Sequence, residues 1–192
     1  MLTEQENSTA ATSRRIPLPD RILLTGFRAT GKSTVGAMLA GRLGMDFIDT
    51  DARLCAELGC SVSEYVSQEG WSAFRQREKE LLVKLAGITH AVISTGGGAV
   101  LHEGQWGRLR KNSLVVWLQA DIATIHQRMQ QDAATADQRP SLTGNGIGDE
   151  VEELLTTRSP LYLEGSDMSV DTTALTPEEI VNVIEEKIFS EG

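Results

Sequence analysis

Apolar residues recur along this chain with two different spacings. Short, near-continuous runs at Ile22–Thr25, Asp46–Ile48, Ala91–Ser94, Leu114–Leu118 and Met168–Asp171 read as strands buried on both faces, Val-Val-Trp-Leu at 115–118 most plainly. Stretches of helical period fall between them, at Lys32–Leu43, Trp71–Leu85, Ile122–Gln131, Gly148–Glu164 and Pro177–Phe189. The last opens Thr176-Pro177-Glu178-Glu179, a capping threonine followed by proline at the first helical position. Such alternation predicts an α/β fold, a parallel sheet wrapped by helices on both faces. Residues 1–19 are polar, with prolines at 17 and 19, and read as a flexible extension. The remainder, 20–192, suits a single domain.

One junction carries chemistry. The first strand runs directly into Gly26-Phe27-Arg28-Ala29-Thr30-Gly31-Lys32-Ser33-Thr34, which opens a helix. This is the phosphate-loop pattern in the context it requires: glycines permit the tight turn, and backbone N–H groups and the helix N-terminus face an anion. Lys32 can reach the terminal phosphates and Ser33 can set a hydroxyl on Mg²⁺. A nucleoside triphosphate is therefore the expected ligand.

The acceptor must be read elsewhere. Asp49 and Asp51, in Phe47-Ile48-Asp49-Thr50-Asp51, end the second strand, where ligands of open α/β sheets collect. Asp49 can hold Mg²⁺ and Asp51 can accept a hydrogen bond from a substrate hydroxyl, orienting or deprotonating it. Helix capping by either aspartate explains the pair about as well. Arg75, with Glu78 three residues on, and Arg158 offer guanidinium forks, and Gly96-Gly97-Gly98 after the third strand allows close backbone approach and offers N–H groups. Two arginines and a glycine nest suit a small carboxylic acid. The polar, glycine-containing segment 132–148 interrupts the α/β rhythm. With Arg139 before Pro140, it reads as a mobile lid over the nucleotide.

In order and spacing, these motifs resemble the shikimate kinases, from about Arg21 to Phe189: Gly26–Thr34, Asp49-Thr50-Asp51, Phe74-Arg75-x-x-Glu78, Gly96-Gly97-Gly98-Ala99-Val100, Arg139-Pro140 and Arg158-x-Pro160-Leu161-Tyr162. The resemblance implies a three-layer P-loop kinase fold with a five-stranded parallel sheet, helices on both faces and a mobile lid. It implies transfer of the ATP γ-phosphate to the 3-hydroxyl of shikimate, with Mg²⁺ as cofactor, on the way to chorismate and the aromatic amino acids. It makes Lys32 the phosphate ligand and sets Ser33 and Asp49 on Mg²⁺ with Ser94 nearby. Asp51, Arg75, Gly97 and Arg158 become the acceptor set, flanked by Gly96 and Gly98, and Arg139 the lid arginine. Arg128 is a looser match to the arginine that stacks on adenine. Ala29 stands where many members have glycine. Trp71 stands where an acidic residue often precedes the Phe-Arg pair, and is expected to reshape the pocket entrance. Other readings are a kinase for gluconate or quinate, or a nucleotide-dependent regulatory protein of the same fold.

Composition narrows the partners. Eighteen basic against 27 acidic residues leave a net charge of −9, which disfavours nonspecific binding to nucleic acid or anionic membranes. No apolar run approaches a membrane span, and the first residues lack a signal-peptide pattern. The two cysteines, Cys55 and Cys60, lack zinc-site spacing and are expected to be spectator thiols in a reducing cytoplasm. No heptad or apolar stripe demands a partner, so a cytoplasmic monomer is expected.

Overall fold

All five apolar runs become strands: β-branched and leucine side chains bury both faces of the inner runs 21–25 and 91–94, while the edge runs 46–49 and 168–171 stay partly exposed. The computed structural model describes residues 19–131 and 147–190. Strands β1 (Arg21–Thr25), β2 (Asp46–Asp49), β3 (Ala91–Ser94), β4 (Ser113–Gln119) and β5 (Met168–Asp171) form one parallel sheet in the order β2-β3-β1-β4-β5. Helices α1 (Lys32–Leu43), α2 (Thr50–Leu58), α3 (Val62–Leu85), α4 (Glu103–Leu109), α5 (Ile122–Gln131), α6 (Ile147–Glu164) and α7 (Pro177–Ser190) connect and follow them.

Strand alternation divides the core in two. Leu23, Ile93 and Val115 point to one face and pack with Leu54, Phe74, Leu81, Leu85 and Trp106 from α2, α3 and α4. Ile22, Leu24, Val92, Val116 and Val170 point to the other, under Val35 and Leu39 of α1 and Ile180, Ile184 and Ile188 of α7. The chain leaves central β1 for edge strand β2 and returns through β3. The loops after β1, β2 and β3 thereby gather at the carboxyl end of the sheet, where the candidate residues sit.

Three helical pieces escaped the periodicity reading. Nine-residue α2 buries only Thr50 and Leu54, and α4 has seven residues, too few turns for a period to emerge. Helix α3 begins nine residues earlier than expected, in a capping box between Ser61 and Glu64. A break at Gly70 (φ 81) separates that first piece from the predicted Trp71–Leu85. The predicted cap of α7 is present: Thr176 Oγ1 accepts from Glu179 N at 3.3 Å, and Thr176 N donates to Glu179 Oε2 at 2.8 Å. The expected extension 1–19, except for its last residue, lies outside the described residues. So does the expected lid, except for residues 147 and 148, and Arg139 with it. Among the described residues no helix is long and apolar enough to cross a membrane.

At the far end of the sheet from the site, Arg21 is buried and acts as a staple. Its guanidinium donates to Ser113 Oγ (3.0 Å) and to the carbonyls of Ala86 (3.0 Å), Ile88 (2.6 Å) and Lys111 (2.5 Å). It thus closes the α3–β3 and α4–β4 turns against β1. Arg21→Met preserves bulk but strands those acceptors. It is expected to lower stability by about 2–4 kcal/mol, read as a drop in the denaturant midpoint with turnover per folded molecule unchanged.

Candidate active site

The phosphate loop is built by close approach. Gly26 has φ 132, and a Cβ there would lie 2.1 Å from the Leu118 carbonyl oxygen, so the chain can leave β1 this close to β4 only as glycine. Phe27 anchors the loop in a small apolar cluster with Ile125 of α5 and Val151 of α6. Its carbonyl accepts from Thr30 Oγ1 (2.8 Å) and from Lys32 Nζ (2.6 Å), so the buried lysine braces the loop. Gly31 caps α1 without any side-chain hydrogen bond, leaving the first N–H groups of the helix to the loop cavity. Ala29 holds φ 62, the left-handed region that glycine occupies freely and alanine at a cost of roughly 1 kcal/mol. The position where the family often has glycine is thus one whose backbone favours it.

The cavity in front of the loop has a volume of about 700 Å³ and is lined by Arg28, Ala29, Gly31, Lys32, Ser33 and Thr34, with Asp49, Asp51 and Ser94 opposite. Cys55 and Cys60, both unpaired and half-buried, form part of its wall. Asp49 does two jobs. Oδ1 caps α2 by accepting from the N–H groups of Asp51 (3.0 Å) and Ala52 (3.1 Å), while Oδ2 accepts from Ser33 Oγ at 2.5 Å. Capping and metal binding, which the sequence left as alternatives, are therefore compatible in one carboxylate. A hydroxyl beside one carboxylate oxygen fits Mg²⁺, which keeps several waters and takes few protein oxygens. Among the described residues there is no cluster of three or more His, Cys, Asp or Glu to cage a metal.

A second, narrower pocket adjoins the first and shares Arg28, Asp51 and Val62 with it. Phe27, Trp71, Phe74, Arg75, Glu78, Gly97, Gly98 and Arg158 form the rest of its wall. Arg75 forms an ion pair with Glu78 and stacks over the rings of Trp71 (5.3 Å) and Phe74 (5.8 Å), which themselves meet edge to face. Trp71 lines this pocket as the platform on which Arg75 lies.

Two of the three glycines prove to be spaces for side chains. A Cβ on Gly96 would lie 2.7 Å from Asp51 Oδ1, and one on Gly98 only 2.1 Å from Arg75 Nη1. Between them the Gly97 carbonyl accepts from Tyr162 Oη (2.6 Å) and Arg158 Nη1 (3.2 Å). The Gly96 N–H is engaged by Thr50 Oγ1 at 2.8 Å, so of the anticipated N–H nest only Gly97 and Gly98 reach the pocket wall. Arg128 stands apart, donating to Ala29 O (3.4 Å) and to Oγ1 (3.1 Å) and O (2.7 Å) of Thr172 at the outer side of the phosphate loop.

Sequence reasoning did not single out Val62, which heads α3 where no helix was expected. Phe74 and Tyr162 lie inside the motifs, with no separate signal of their own. Tyr162 is fully buried beside Trp117 (5.9 Å), and its bond to the Gly97 carbonyl bridges 65 residues, which no local pattern signals. Burial pushes its hydroxyl from 10.0 up to about 12, against the opposing pull of the Arg158 charge.

The shikimate kinase family profile matches residues 28–189. Shikimate kinase 2 of Photorhabdus laumondii is 38% identical over 169 residues, 88% of this chain and 95% of that protein. Shikimate kinase of Nitratidesulfovibrio vulgaris is 41% identical over 146 residues, 76% and 83% of the two chains. Among solved structures, shikimate kinase from Acinetobacter baumannii in complex with shikimate matches with a TM-score of 0.84 at 30% identity, covering 92% of this chain and 96% of that one. The Aquifex aeolicus enzyme matches at 0.73 and 29% identity.

Gly98→Ala is expected to push the Arg75 guanidinium from its ring platform and weaken capture of a carboxylate ligand about tenfold, with nucleotide affinity within twofold; separate titrations of the two ligands check it. The folded state favours the neutral Tyr162 phenol. Its contribution is therefore intact below pH 10 and is lost as pH climbs through about 12. The alkaline loss of stability is expected to be smaller in Tyr162→Phe by on the order of 2 kcal/mol, read from denaturant midpoints at pH 9 and pH 12.

Proposed function

The chain belongs to the shikimate kinase family, and from that footing we propose how its own residues divide the transfer of the ATP γ-phosphate to the 3-hydroxyl of shikimate. The observation that carries the reading is the shared wall: the pocket holding Arg75 and Arg158 opens past Arg28 and Asp51 into the cavity holding Lys32 and Ser33. An acceptor acid on one side and a triphosphate on the other would meet at Asp51.

In this reading the loop Gly26–Thr34 holds the ATP phosphates, and Lys32 exchanges its bond to the Phe27 carbonyl for the β/γ oxygens. Arg128, fixed to Thr172, flanks the base. Ser33 and Asp49, whose side chains meet at Oδ2, would hold Mg²⁺, which would offset phosphate charge when bound. Arg75 and Arg158 take the shikimate carboxylate, the planar forks matching its two oxygens. Gly97 and Gly98 let the acid approach the backbone. Asp51 accepts the hydrogen bond of the 3-hydroxyl and orients it for in-line attack. The reading includes a cytoplasmic monomer, which the two unpaired cysteines suit.

The test is ADP release with shikimate, quinate and gluconate compared side by side. Shikimate-dependent, Mg²⁺-requiring turnover is expected. Asp51→Asn should cut kcat by about two to three decades and leave ATP affinity within roughly twofold, because the amide keeps shape and loses basicity. Equal turnover with gluconate, or an undiminished Asp51→Asn enzyme, would overturn the assignment.

A further inference from the structure

Behind the acceptor pocket stands a histidine that the reading above leaves unused. His102 is 5% exposed, and its Nε2 lies 3.3 Å from Glu78 Oε2, the same oxygen that pairs with Arg75. A carboxylate oxygen only accepts, so Nε2 is the nitrogen that carries the proton in this contact. The residue's position makes the choice of side chain pointed. His102 is the N-cap of α4, its carbonyl accepting from Trp106 N at 2.8 Å, yet its side chain makes no capping bond. Serine, threonine, aspartate or asparagine would cap there. Instead the imidazole turns inward to Glu78.

Glu78 needs such a constraint. Its Oε1 would stand 3.4 Å from a Cβ on Gly96, and Asp51 Oδ1 2.7 Å from that same point, so two carboxylates converge on one glycine. Like charges this close repel, and the repulsion would turn Glu78 out of its pairing geometry unless something fixes it. The other side of the carboxylate offers little: Leu54, Leu81, Leu82 and Ala99 line a small gap there with Thr50, whose hydroxyl oxygen is engaged by the Gly96 N–H. His102 supplies the second donor on Oε2.

We propose that His102 is a positioning residue for acceptor binding. It donates to Glu78, which locks the Arg75 guanidinium over Trp71 in the orientation that receives the carboxylate. The relay His102–Glu78–Arg75 crosses from α4 to α3, and the segment Gly96–His102 supplies both its imidazole end and the glycine gap at Gly98 in which Arg75 rests. The proposal rests on Arg75 as ligand of the shikimate carboxylate.

Full-length enzyme carrying H102L, H102Q or H102N, alone and in an E78Q background, tests it by steady-state kinetics. The glutamine amide reaches where Nε2 stands and can donate to Glu78; the shorter asparagine falls short, and leucine cannot donate. H102L and H102N are expected to raise KM for shikimate about tenfold, with kcat and KM for ATP within twofold, and H102Q to restore a near-normal KM. In the E78Q background the difference between H102Q and H102N should vanish. The proposal is overturned if H102N and H102Q have the same KM for shikimate, if KM for ATP rises in parallel, or if the difference persists without Glu78. Should H102L fail to fold, the pair H102Q and H102N, both polar, still decides. Arg75→Lys is measured alongside. If it leaves KM for shikimate unchanged, the reading of Arg75 fails and the proposal with it. If it raises that KM while the His102 variants do not, only the relay falls.

Discussion

Everything at the site leans on three residues without side chains. Asp51 presses on Gly96, Arg158 and Tyr162 hold the Gly97 carbonyl, and the Arg75 guanidinium fills the space a side chain on Gly98 would take. This segment follows directly from β3, which is buried and flanked by β1 and β2. A rigid strand end thereby sets the positions of groups from α2, α3 and α6. Side chains that pack against backbone have few alternative rotamers, so the pocket is organised before a ligand arrives.

The same economy governs the phosphate side. Lys32 satisfies the Phe27 carbonyl, and Asp49 caps a helix while touching Ser33. Each charged group has a partner in the ligand-free fold, which limits the cost of holding it partly away from water. Each also keeps a means of exchange: the lysine a flexible stem, the aspartate a second oxygen. Stability and function draw on the same atoms here, so substitutions at these positions will move both.

The two departures from the family pattern acquire physical meanings. Ala29 sits in left-handed backbone, where alanine is tolerated because Gly26 and Gly31 on either side absorb the tighter turns. Trp71 exchanges a charge for a flat ring beneath Arg75. A guanidinium held on a ring face is weakly hydrated and well oriented, and Glu78 remains as its ion-pair partner.

Strand runs, the phosphate loop and the α7 cap were legible in the chain because their signals are local: an apolar period, glycines at fixed offsets, a threonine three residues before a glutamate. Arg75 and Glu78 were legible as a pair for the same reason, being one helical turn apart. The order and spacing of the motifs were specific enough to point to the family. The sequence could not tell that the triple glycine makes room for Asp51 and Arg75, that Tyr162 bonds a carbonyl 65 residues away, or that His102 turns from its helix toward Glu78. Those contacts join α2, α3, α4 and α6 to the end of β3. They exist only once a parallel sheet has brought the loops of distant strands to one edge, because separation along the chain leaves no periodic trace of who will touch whom.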